Sequence, residues 1–361
     1  MSLAQCYWTA IGDALSGFSL SLSLRKTSPR KNWPTPRPIK EAKHMKRDAD
    51  RTSGVAARPK MLAPDRKPHP PRLPFPAGAC DCHAHAFGPQ SIYPCTPSFP
   101  YLPPDVSPQD YEEMLQTIGC QRAVLVQHTI YGTDNSCMVA AMKSGKLQYR
   151  GVAIIDQTVS DKELDSLHAA GVRAARISVT RPELSLEDVS QQVIQTAARI
   201  NRLGWHLQFL ACMDHFPWIE QIIAKSPLVC VVDHFGLVRA SDGMQAPGFS
   251  ALLRLARLDH VWFKLIGYRG SIQWPHYPDV TPLVRALMAA APDRCVWGSD
   301  WPHTNLAHIP GYHLSMCDYP SGTEPMPNDG DLADALGEWL PNAETRRRVL
   351  VDNPVRLYGF E

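Results

Sequence analysis

The sequence predicts an α/β fold, a (β/α)8 TIM-like barrel, and three observations carry that expectation. From Gly78 onward, short runs rich in β-branched residues alternate with helix-like polar-apolar segments, the pattern of βα units around a parallel sheet. Eight such runs fit within about 285 residues, near the roughly 250 of a typical barrel. The polar residues fall at the carboxyl ends of several runs, whereas a doubly wound open sheet would gather them at one switch point and would follow its first strand with a glycine-rich phosphate turn that is missing here.

In order, the predicted strands are 79–86, 122–127, 151–155, 173–178, 206–210, 228–234, 261–266 and 295–300. Each is a run of apolar residues interrupted or ended by one to three polar ones. Helices are predicted between them over 108–118, 161–170, 186–203 and 280–291. The third of these places Glu187 and Asp188 in its first turn and Arg199 and Arg202 in its last, as the helix dipole prefers.

Residues 1–72 read differently and are set apart from a barrel domain spanning 73–361. They hold nine prolines, a serine run from Ser16 to Ser23, and 15 Lys and Arg against 5 Asp and Glu. Such a composition cannot bury a core and predicts a disordered basic leader. A transit peptide fits its charge order better than a secretory signal. An extension upstream of a start at Met45 or Met61 is the other reading. The rest of the chain is mildly acidic, with 22 basic against 30 acidic residues, which argues against nucleic acid as its partner. No stretch approaches 18 uninterrupted apolar residues, so no membrane span is expected. Ten cysteines without a C-x-x-C pair predict buried thiols, a reducing compartment and a cytoplasmic location.

The strand ends supply the candidate site. In Asp81-Cys82-His83-Ala84-His85 the two histidines stand two apart, so in a strand they share a face. Later strand ends add Gln127 and His128, Arg176, Gln208, Asp233 and His234, Lys264, and Asp300, Trp301 and His303. Arg173 and Arg176 are three apart, so only one of them can face the barrel interior. Three imidazoles and a carboxylate (His83, His85, His234 and Asp300) suit two chemistries. They can hold a divalent metal with one open position, or they can polarise a carbonyl while the carboxylate activates water.

The stretches Gly78 to Pro89, Gly132 to Asn135, Val232 to Gly236, Val261 to Lys264, Trp297 to His303 and Asn353 to Tyr358 together resemble the amidohydrolase superfamily. Within it they are similar to the branch of lactone hydrolases that includes 2-pyrone-4,6-dicarboxylate lactonase. The resemblance implies a hydrolase that opens a carboxylated lactone in aromatic-compound breakdown. Asp300 is implied as the water-activating base, and His83, His85 and His234 line the carbonyl side. Arg176 is implied as a contact to a substrate carboxylate, with Arg181 and Arg269 near two further such positions, each aligned with a small shift. A tyrosine expected on the fifth strand is missing, and Gln208 takes its place. His303 is expected beside the substrate or against a neighbouring site residue. No cofactor is implied. The alternative is a single zinc or manganese ion on His83, His85, His234 and Asp300, serving a sugar-acid lactonase, a decarboxylase or an amide hydrolase on the same barrel.

Overall fold

A computed structural model describes residues 58–97, 99, 101–104, 106–180, 184–304 and 326–361. Its strands are β1 (Cys80–Ala84), β2 (Arg122–Val126), β3 (Gln148–Ala153), β4 (Val172–Val179), β5 (His206–Ala211), β6 (Cys230–Val232), β7 (Val261–Leu265) and β8 (Cys295–Trp297). They form one parallel sheet in sequence order. Between them run α1 (Pro108–Ile118), α2 (Ser136–Ser144), α3 (Asp161–Ala169), α4 (Leu186–Ile200), α5 (Phe216–Ala224), α6 (Pro247–Leu255) and α7 (Thr281–Ala290), and α8 (Asp329–Trp339) follows β8. The expected (β/α)8 barrel is present.

Local sequence chemistry sets the helix starts. α1, α3 and α4 each open on a capping box, Ser107 with Asp110, Ser160 with Glu163 and Ser185 with Asp188. Each such serine cap is worth about 1 kcal/mol. The apolar faces of these helices then close over the outside of the sheet, burying Leu115 and Ile118, Leu164, and Val189 and Val193.

Inside the barrel, Cys80, Cys82, Val124, Val126, Val152, Ala174, Val231, Trp262 and Val296 pack into a second, separate cluster. Seven strands contribute to it, which identifies it as the barrel's filling. The register of β1 against β2 shifts between Asp81 and Ala84. Such an irregularity re-aims side chains. Here Cys82 belongs to the interior cluster and His83 meets the interior side chains of Asp233 and Lys264.

The seam between β1 and β8 is closed by backbone bonds from Asp300 N to His83 O and from His85 N to Trp301 O, both 2.8 Å. Buried Asp81 ties the same seam. Its carboxylate accepts from His83 N, Ser299 N, Ser299 Oγ and Tyr111 Oη at 2.6–3.1 Å. Gly298 lets the two strand ends approach, since a Cβ there would lie 2.9 Å from His83 N.

Packed chain begins before residue 73. Met61 is buried, its backbone pairs with Leu102, and Arg72 donates to Asp334 from its backbone N (2.6 Å) and Nε (2.8 Å). Arg72 meets the acidic residues Asp334 and Glu338 of α8, and Arg66 meets Asp110 of α1. Among the described residues, seven cysteines are buried free thiols. Among the described residues no helix is long and apolar enough to cross a membrane.

Candidate active site

His83, His85, Asp233, His234, Lys264, Asp300 and Arg176 meet at the carboxyl ends of β1, β4, β6, β7 and β8, all of them buried. β6 and β8 are shorter than the sequence predicts because the chain turns sharply at their functional residues. His234, Phe235, Asp300 and His303 have φ of 48°, 29°, 64° and 60°. Left-handed backbone costs a non-glycine residue about 1–2 kcal/mol. Four such residues in one place show a barrel rim that holds its side chains against local preference.

Asp300 is the centre of the arrangement. Its Oδ2 accepts from Tyr268 Oη (2.7 Å) and from Arg269 Nε (2.6 Å) and Nη2 (2.5 Å). Its Oδ1 has no hydrogen bond and faces His85 Nε2 at 3.4 Å and His83 Nε2 at 3.6 Å. Burial alone would raise this carboxyl, but Arg269 and the surrounding histidines outweigh it and hold the group well below the usual carboxylate range. The result is an ionised oxygen left open between two imidazoles.

Two of the site histidines, His83 and His234, are neutral rather than cationic. Burial pushes His234 down to about 3. Burial, with the Lys264 charge behind it, also drives His83 well down. His85 Nδ1 lies 2.8 Å from Val126 O. A carbonyl only accepts, so Nδ1 carries a proton, and Nε2 faces Asp300.

Beneath this set lies a buried charged layer. Asp233 Oδ2 accepts from Arg176 Nε at 3.0 Å and Gln208 Nε2 at 2.9 Å. Lys264 Nζ donates to Gln208 Oε1 at 2.8 Å. Burial would raise Asp233, yet Lys264, Arg176 and His83 together hold it well below the ordinary range. Arg176, Lys264 and Arg269 face two carboxylates, leaving the site one positive charge in excess. The terminal amino groups of Arg176 donate no hydrogen bond to the described residues. Arg173 faces away, bonding His168 O and Val172 O, as the strand period requires.

Two of the expected substrate contacts are placed differently from the sequence reading, and His303 takes the second of its two expected places. Gln208 spends its amide on Asp233 and Lys264 and lies below the site rather than lining it. Arg269 is committed to Asp300. His303 meets Asp329 Oδ1 at 3.1 Å, and its ring packs edge-on against Tyr268 at 5.4 Å, so it braces the residue that braces Asp300. Arg181 lies outside the described residues. Tyr268 has no strand-end signal of its own, and only its place beside Arg269 after β7 could have marked it. Asp233 and Lys264 were visible as strand-end polar residues, but nothing in the sequence pairs them with each other.

A metal fits this donor set by type. His83, His85 and Asp300 offer ligand atoms within 4.8 Å of one another, and a second group joins His83, Asp233 and His234. Two imidazoles and a carboxylate suit one zinc with an open position. The second group has the Lys264 ammonium 3.4 Å from Asp233 Oδ1, and that charge opposes a cation there.

Residues 80–360 match the family model for amidohydrolases. The 2-pyrone-4,6-dicarboxylate hydrolase of Comamonas testosteroni is 35% identical over 304 residues, covering 81% of this chain and 94% of its own. The 4-sulfomuconolactone hydrolase of Hydrogenophaga intermedia is 33% identical over 307 residues, covering 84% and 96%. A crystal structure of an Agrobacterium tumefaciens protein has a TM-score of 0.66 at 29% identity, covering 81% of this chain and 99% of that one. With the barrel, the histidine pair and the strand-eight aspartate in place, the chain belongs to the amidohydrolase family.

Proposed function

We propose that this protein is a lactonase that opens a carboxylated lactone by attack of a water activated on Asp300. The observation that carries the reading is the asymmetry of that carboxylate, with one oxygen saturated by Arg269 and Tyr268 and the other open between His83 and His85. The similarity to two hydrolases named for lactones that bear acidic groups supports the substrate class.

In this reading the substrate carboxylate docks on the terminal amino groups of Arg176, a charge-assisted contact. Water donates one hydrogen to Asp300 Oδ1 and the other to the lone pair of His85 Nε2. Asp300 takes the proton as the oxygen attacks the ring carbonyl. The oxyanion that forms lies against His83 and His234, where fixed dipoles in a dry site are most effective. Collapse of the intermediate breaks the ring C–O bond. The expelled oxygen takes its proton back from Asp300, whose low affinity for protons favours that return. The product is an opened chain with one more carboxyl group, which gives up its remaining water proton to solvent.

His83, His85 and Asp300 would hold a single divalent cation if one is bound, and such an ion supplies a Lewis acid and a more acidic bound water. A panel of lactones assayed with and without chelator tests the reading. Carboxylated rings are expected to open faster than neutral ones of the same size, with activity kept after chelation. A preference for neutral rings, or no ring opened at all, would overturn it.

A further inference from the structure

His83 stands between two groups that would fix its proton in opposite places. Its Nδ1 lies 3.3 Å from Lys264 Nζ and 3.3 Å from Asp233 Oδ1, while Nε2 looks into the site. A neutral imidazole carries one N–H, so whichever group bonds Nδ1 decides what Nε2 presents. If Asp233 accepts from Nδ1–H, Nε2 becomes a lone pair, and His83 is a metal ligand. If Lys264 donates to Nδ1, Nε2 carries the hydrogen, and His83 is a donor aimed at the substrate.

The contacts favour Lys264. Its approach to Nδ1 has hydrogen-bond geometry, whereas Asp233 Oδ1 takes no hydrogen bond. Asp233 is already served at Oδ2 by Arg176 and Gln208. An ammonium has donors only, so Lys264 cannot accept from the ring. Gln208 fixes the lysine in turn, since its Nε2 is spent on Asp233 and its Oε1 takes Lys264 Nζ at 2.8 Å. All four side chains are buried, so water does not compete for these bonds.

We propose that Lys264 is a positioning residue that fixes His83 as the Nε2–H tautomer, making it a hydrogen-bond donor to the developing oxyanion in place of a third metal-ligating lone pair. His85 holds the opposite tautomer, with Nδ1–H spent on Val126 O. The two histidines of one strand end thus divide the work, His83 donating to the substrate oxygen and His85 accepting from the water. A cation on His83 Nε2 must first drive the proton to Nδ1, against Lys264. The oxyanion role rests on the lactonase reading, while the tautomer is a property of the protein alone.

Histidine-selective 15N NMR of the full chain reads the tautomer directly, with the His83 signals assigned by their loss in His83→Asn. The wild type is expected to show a protonated Nε2 and a bare Nδ1. In Lys264→Met the proton should move to Nδ1, and zinc titrated alone should bind about tenfold tighter, the scale on which partners behind a ligand act. The same variant should lose metal-free rate in kcat rather than KM, and Lys264→Arg, which keeps a donor, should restore the Nε2–H signal. A bare Nε2 in the wild type overturns the proposal, as does an unchanged tautomer in folded Lys264→Met. Should that variant fail to fold, the wild-type spectrum decides by itself. A protonated Nε2 in a protein that opens no lactone leaves the Lys264 assignment standing and removes only the substrate reading.

Discussion

Arg269 and Tyr268 do for Asp300 what the proposed base needs, holding it ionised and turned so that one oxygen is free. Burial raises the Asp300 carboxyl and the Arg269 guanidinium is the leading influence that lowers it. Removing the cation therefore lets burial dominate. In Arg269→Gln the acid limb of the kcat/KM profile should move to higher pH, because protonated Asp300 is inactive and would persist further up the scale. A limb that stays in place would show that Asp300 is not the titrating base. His83, His85, His234 and Asp300 were legible in the sequence because each ends an apolar run in a chemically telling group. Tyr268 was not, because a tyrosine on a turn has no period and its importance comes from the carboxylate it meets.

The barrel elements were legible for the same reason that they are stable. Apolar runs bounded by turns mark all eight strands, and polar-apolar segments mark four of the helices between them. Boundaries were less so. β3 begins at Gln148, before its apolar run, because residues 148–152 pair one by one with Arg122–Val126 of β2. β8 ends at Trp297, since the left-handed turn at Asp300 is dictated by the seam with β1 and not by local sequence. Asp81 holds that seam. In Asp81→Asn the amide nitrogen cannot accept, so at least one of Ser299 and Tyr111 loses its acceptor, at about 1–3 kcal/mol. Thermal unfolding should show a fall in Tm of about 2–4 °C per kcal/mol for a domain of this size. An unchanged Tm would mean the seam is held without it.

At the scale of the whole molecule, residues 73–361 are acidic overall while the site gathers Arg176, Lys264 and Arg269 around two carboxylates, a local positive excess that suits the proposed anionic substrate. Acid should weaken the fold as well as the base. Burial lowers His206 and His234 to about 3 from an ordinary 6.5. Each is neutral in the folded chain where it would be protonated when unfolded, so each removes stability as pH falls from 6.5 toward 3. His206 lies outside the catalytic set, and His206→Met should flatten the stability-pH curve in that window by about 1.4 kcal/mol per pH unit. Denaturant unfolding across that window reads the difference, and parallel curves would contradict it. The most direct measurement is the rate of Asp300→Asn on a carboxylated lactone that the chelated wild type opens. Loss of the base should lower kcat about 10² to 10⁴-fold with little change in KM, while a variant with the full wild-type rate would contradict the assignment of Asp300 as the group that activates water.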